Sequence, residues 1–264
     1  MLLKLLVAAS ILVCGTPAHA RYAICIDSQA FIRVNQGELK KYVSVVSGFF
    51  DAILHPSLNP LEAAEQRFWK KLEDEWGVQV GPDMMLVRDQ DGKRILPWIM
   101  VRWFKGEITG QEAVEMIRKR SANFITEIAS VAFSAEFLAR HAAIVPGASE
   151  FLGKCSQKAS LFMVGNWNLE VFERVANNVQ SALHLIPTDH RYISGVMGLV
   201  LPCDIDQICN LIARDSQHNL ADIIFVTAMP HHAQAAQLKG IKTVLIVNDN
   251  FDTAYKVLAE YCKQ

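Results

Sequence analysis

Five short apolar runs punctuate the chain: Tyr22 to Asp27, Ser160 to Gly165, Ala182 to Ile186, Asp222 to Thr227, and Lys242 to Val247. Each is almost continuously apolar, the pattern of a strand buried on both faces rather than one. The intervals 166–181, 187–221 and 228–241 suit one helical crossover each. An α/β fold is therefore expected, with a Rossmann-like parallel sheet and helices on both faces. The stretch 224–246, IFVTAMPHHAQAAQLKGIKTVLI, shows the unit in small: strand, Pro-marked turn, alanine-rich helix ending at Gly240, next strand. Ligands in such units bind beyond the carboxyl end of the first strand. Here that loop reads Thr-Ala-Met-Pro-His-His and carries no carboxylate.

The interval 28–159 is far longer than the dozen or so residues a parallel crossover needs. Something is inserted after the first strand. Residues 61–76, 110–120 and 122–143 have apolar positions at three- and four-residue steps, so the insert is expected to be helical. Pro60 and Pro82 punctuate it, and RDQDGK at 88–93 has the composition of an exposed turn. Its aromatic residues (Phe68, Trp69, Trp76, Trp98, Trp103, Phe104) suit the core of a bundle more than the wall of a ligand cleft.

Composition adds limits. The 264 residues are 51% hydrophobic with a formal net charge of −1. That length buries a full core, and the charge gives no reason to expect nucleic acid or an anionic membrane as partner. The first twenty residues combine Lys4, an apolar run from Leu5 to Cys14, and Ala18-His19-Ala20. This is the pattern of a cleavable signal peptide, cut after Ala20, and it predicts a periplasmic or secreted protein without a stable membrane anchor. A membrane span fits less well because the run is short and ends in Gly-Thr-Pro. A lipid on Cys14 is disfavoured by Val13. The mature chain would keep Cys25, Cys155, Cys203, Cys209 and Cys262, an odd number, so at least one thiol is expected to stay free. Neither C-x-x-C nor a zinc-ligand spacing occurs, and Cys25 sits inside an apolar strand as core.

Taken in order, the motifs resemble those of the haloacid dehalogenase-like superfamily of phosphatases and dehalogenases. YAICIDSQAFI resembles its first motif, a strand ending in the nucleophilic aspartate. KASLFMVGNWNLEVFERV resembles the second, a strand ending in Ser or Thr, usually followed by Asn. GVMGLVLPCDIDQICNLIA lies where the family has its lysine, and the 224–246 stretch resembles the fourth motif, where two acids normally end the strand. KGEITGQEAVEMI is similar to a segment of the family's helical caps. Beyond the signal peptide read at 1–20, the resemblance implies a core of 21–35 and 151–264 and a helical cap at 36–150. It places Asp27 at the nucleophile, Gln29 at the general acid, Gly165 at the Ser or Thr, Asn166 after it, Leu201 at the lysine, and Thr227 and Ala228 at the metal-binding acids.

Only Asp27 and Asn166 keep the family's pattern. Phosphoryl transfer needs charge neutralised on the phosphate oxygens, and Mg²⁺ does so through hard oxygen ligands. Asp27 alone is a weak site, so no metal is expected. Asp222 begins its strand and lies roughly 16 Å from the far end. Without an acid at Gln29 the leaving oxygen loses a proton donor worth about 10²–10⁴ in rate. Of possible replacements, His231 and His232 are expected at a solvated first turn of a helix, with one facing Asp27 as a base in the less favoured reading. Asp249 follows the last strand, roughly 10 Å from the first. Asp252 is expected to cap the final helix, and Asp189-His190 to sit in a turn after the third strand. Asp27 itself has a second reading as a structural hydrogen-bonding group. The preferred functional reading is an exported, catalytically impaired relative that binds a small molecule or protein between core and cap. The alternative is an active hydrolase using Asp27 in a rearranged, metal-independent site.

Overall fold

The computed structural model describes residues 22–34, 86–88, 94–119 and 123–263. The signal segment, the helix expected at 61–76 with its aromatics, and most of the 88–93 turn lie outside the described residues.

A parallel sheet of five strands organises the molecule, in the spatial order 191–193, 160–165, 23–27, 223–227 and 242–245. The strands are β1 (Ala23–Asp27), β6 (Ser160–Gly165), β7 (Arg191–Ile193), β8 (Ile223–Thr227) and β9 (Lys242–Leu245). β1 lies at the centre, pairing Asp27 with Val164 on one side and Ile26 with Val226 on the other. Its side chains alternate between two core layers: Ile24 and Ile26 enter one, Ala23 and Cys25 the other. The first layer is roofed by helices Ala148–Ser156, Leu169–Asn178 and Phe251–Tyr261, through residues such as Phe151, Leu152, Val175 and Leu258. The second is roofed chiefly by Ile205–Ser216, through Ile205, Ile208, Cys209 and Ile212. Apolar cover on both faces is why the strands read as unbroken apolar runs.

One expected strand is not a strand. Ala182 to Ile186 falls in the short helix Gln180–Leu183 and the turn after it, with Ala182, Leu183 and Ile186 buried. A short apolar run buries equally well as a helical turn, and periodicity cannot separate the two. The third strand is β7, so Asp189 and His190 precede it rather than follow it. They form a 3-10 turn in which His190 stacks on Phe162 at 4.1 Å and its Nδ1 meets the Leu161 carbonyl at 2.9 Å.

The insert leaves through β2 (Ile32–Val34) and returns through β5 (Ala142–Ile144), which pair antiparallel in a separate two-stranded sheet. Helices Trp98–Phe104, Gly110–Arg118, Asn123–Ala132 and Ala135–His141 make up most of its described part. The single helical run expected at 122–143 breaks because the Ser134 hydroxyl caps a new helix at the Phe137 N–H. A hairpin of β3 (Leu86–Arg88) and β4 (Arg94–Pro97) shows that the insert is not wholly helical. Ile99, Val101, Trp103 and Ala113 continue the first core layer into the insert, whereas Trp98 is 40% exposed. The Asn168 amide donates to the Trp103 carbonyl at 2.9 Å, fastening the insert near the carboxyl end of β6.

Candidate functional site at the carboxyl edge of the sheet

β1, β6 and β8 end side by side at Asp27, Gly165 and Thr227. Asp27 is fully buried, and each carboxylate oxygen is engaged by the chain itself. Oδ1 accepts the Gln29 backbone N–H at 3.1 Å, which makes Asp27 the cap of the 3-10 turn Ser28–Ala30. Oδ2 accepts the Thr227 hydroxyl at 2.7 Å and pairs with His232 Nδ1 at 2.7 Å. Burial by itself would push the Asp27 carboxyl up. The adjacent His232 imidazole, with the hydrogen bonds from His232, Thr227 and the Gln29 N–H, instead holds it below the usual carboxylate range. An ionised carboxylate only accepts, so Nδ1 carries the proton and donates.

The turn after β8 builds this arrangement. Thr227 Oγ1 accepts the Met229 N–H at 3.0 Å while donating to Asp27. Pro230 then opens the helix Pro230–Leu238, its fixed φ suiting the first helical position. His232 therefore reaches inward from the first turn and is 3% exposed. The solvated position expected for both histidines is wrong for this one, because the carboxylate one strand away supplies its buried partner. His231 is half-buried, with its ring edge-on to His232 at 4.4 Å. Ala228 turns away, packing against the first core layer.

The remaining motif positions are occupied by structure. A Cβ at Gly165 would stand 2.1 Å from Ser28 Oγ and 2.8 Å from the Trp167 ring. Ser28 and Trp167 are both buried and bonded, the indole N–H donating to Ser28 Oγ at 2.8 Å. They fill the volume a serine or threonine side chain would need. Asn166 holds the Leu201 backbone at two points, Nδ2 to the carbonyl at 2.8 Å and Oδ1 from the N–H at 2.8 Å, and Ser194 Oγ approaches its Oδ1 at 3.2 Å. The Leu201 side chain is buried among the apolar residues of the second layer. Ser28, Trp167 and Ser194 were not singled out from the sequence. Trp167 alone had a signal, the polar cluster GNWN at 165–168.

Other candidates lie elsewhere. Asp249 is held by Arg33 of β2 in a bidentate pair at 2.7 and 3.0 Å. Asn250, not Asp252, caps the final helix, accepting the Thr253 N–H at 3.0 Å. Asp222 sits ahead of β8 in a 3-10 turn.

A magnesium ion needs several hard oxygen ligands, commonly carboxylates. At this edge the positions for further acids are Thr227, whose hydroxyl points its proton at Asp27, and Ala228, while an imidazole nitrogen occupies one face of the carboxylate. The residues do not fit the ion. Among the described residues no group of three or more His, Cys, Asp or Glu is placed to hold a metal.

No family model matches the sequence and no curated protein matches it. Solved structures do match. A predicted HAD-like family hydrolase from Porphyromonas gingivalis superposes with a TM-score of 0.53 at 15% identity, over 91% of this chain and 98% of that one. A HAD family enzyme from Bacteroides thetaiotaomicron gives 0.50 at 16% identity, over 89% and 98%. A dehalogenase in an intermediate complex gives 0.50 at 10% identity, over 86% and 85%. The fold of this chain is haloacid dehalogenase-like.

Proposed function

We propose that this chain is an exported, divergent member of the haloacid dehalogenase-like superfamily that has lost magnesium-dependent phosphoryl transfer. It acts instead by binding a small molecule or protein partner between its core and its insert. One observation carries the reading: both oxygens of the Asp27 carboxylate are taken by donors of the chain itself. An attacking carboxylate needs an oxygen open to substrate, and a metal-binding one needs lone pairs aimed at the ion. Here Thr227 and His232 engage Oδ2, the Gln29 N–H engages Oδ1, and Ser28 with Trp167 fills the neighbouring space. A variant of the Bacteroides enzyme is seen with magnesium and inorganic phosphate; in this chain the strand ends carry Gly165, Thr227 and Ala228 beside Asp27. The test is turnover of a generic phosphate ester by the mature protein with and without magnesium, beside Asp27→Asn. Rates equal to the buffer in both proteins are expected. Magnesium-stimulated release that vanishes in Asp27→Asn would overturn the proposal.

A second reading rests on the His232–Asp27 pair itself. A carboxylate that fixes Nδ1–H leaves Nε2 as the imidazole's basic nitrogen. This favours a metal-independent hydrolase with His232 as base. Metal-independent ester hydrolysis lost equally in His232→Gln and Asp27→Asn would select it.

A further inference from the structure

An asparagine stands at each end of helix Leu169–Asn178, and each spends its side-chain amide on a backbone carbonyl of the insert. Asn168 Nδ2 donates to the Trp103 carbonyl at 2.9 Å, and Asn178 Nδ2 donates to the Ala139 carbonyl. The two carbonyls belong to different insert helices, Trp98–Phe104 and Ala135–His141. The helix between the asparagines has 10 residues, so the two attachments stand about 15 Å apart at 1.5 Å per residue. A third attachment lies across the sheet. Arg33 of β2 grips Asp249 in a bidentate pair at 2.7 and 3.0 Å. Asp249 follows β9, whereas the helix follows β6 on the other side of β1.

Each contact alone is small, because a partly exposed hydrogen bond competes with water and an exposed ion pair is screened. Their placement makes them act jointly. A body held at two points swings about the line that joins them, and a third point off that line stops the swing. Apolar contact adds to the hold. Ile99 and Trp103 of the insert lie in the same buried layer as Val171, Phe172 and Val175 of the helix, so moving the insert outward would expose that layer to water. We propose that helix Leu169–Asn178 is a clamp, and that the described insert is locked to the core rather than hinged on β2 and β5. The insert is released only in one opening event that breaks both asparagine contacts and the Arg33–Asp249 pair together. A partner arriving at the carboxyl edge would meet a surface already set, with no lid to close. The inference stands apart from both functional readings above, since it concerns only how insert and core are joined.

The experiment is native-state hydrogen exchange of the full chain along a denaturant series, read on peptides by mass spectrometry. In the unmodified protein, peptides from Trp98–Phe104 and Ala135–His141 should lose protection together, in one step. The double variant Asn168→Asp, Asn178→Ala removes both amide donors, while the new carboxylate can still cap the helix at the Glu170 N–H. Both insert peptides should then exchange roughly tenfold faster, as two lost hydrogen bonds imply, with peptides from β1 and β8 unchanged. Glu173→Ala, at an exposed site on the same helix, should change neither. Separate loss of protection by the two insert helices of the unmodified protein would overturn the proposal. So would a double variant whose insert peptides keep their rates, or whose β1 and β8 peptides accelerate equally. The first comparison needs no variant, so it decides even if the double variant folds poorly.

Discussion

At the scale of single residues, Asp27 is a buried carboxylate with both oxygens hydrogen-bonded by the chain itself. Removing one partner of such a pair is costly because the other is left stranded in an apolar surrounding. His232→Ala should lower stability by about 3 kcal/mol. The double variant with Asp27→Asn should lose about 0.5–3 kcal/mol less than the sum of the singles, as measured by denaturant unfolding. Additive losses would mean that the two do not act as a pair. The pH dependence has a definite sign. The folded-state carboxyl titrates below its ordinary value. Its stabilising contribution is therefore present above the unfolded value of about 3.9 and is lost as pH falls through the lower folded value. Acid titration of stability should be steep below about pH 4 and visibly flatter in Asp27→Asn. Gly165 makes a sharper point. Placing the hydroxyl that the resemblance expects there, as Gly165→Ser, drives a Cβ to 2.1 Å from Ser28 Oγ, and should cost about 1–3 kcal/mol by overpacking. An unchanged melting temperature would show that the space is open after all.

At the scale of elements, β1, β6 and β8 were legible because a doubly covered parallel strand is apolar at nearly every position, and β9 because Val244 and Leu245 open a longer apolar run. β7 was not. Arg191-Tyr192-Ile193 is three residues long and begins with a charge, and the Arg191 guanidinium is spent on the Leu183 and Ile186 carbonyls. The more apolar Ala182 to Ile186 looked the better strand, yet it packs as a helical turn. Leu183→Ala should therefore behave as a core truncation of about 2–5 kcal/mol, since its side chain is 1% exposed. Gly153→Ala, in the helix Ala148–Ser156 with open space around the added Cβ, should instead stabilise by about 0.5–1 kcal/mol. Thermal melts of the two would check both placements. The position of His232 was illegible for another reason. Sequence gives the helix and its first turn, but which side of that turn faces a neighbouring strand depends on how the helix docks.

At the scale of the whole molecule, we propose that a haloacid dehalogenase-like fold persists while the positions that the sequence resemblance assigns to chemistry serve packing. Asn166 binds the Leu201 backbone, Leu201 joins the core, Trp167 closes on Ser28, and Thr227 with His232 closes on Asp27. That Thr227, Ala228 and Leu201 stand where the resemblance expects two acids and a lysine could be read directly from the sequence. What replaced them could not, because each substitute lies on a different element and acts through a contact across the fold. The account is tested most directly by a magnesium titration of the melting temperature. A ligand at tenfold its dissociation constant would stabilise the fold by about 1.4 kcal/mol, a shift easily seen. The mature protein should melt at the same temperature throughout the millimolar range, and Asp27→Asn should respond no differently. A rise in melting temperature with magnesium that disappears in Asp27→Asn would contradict the account.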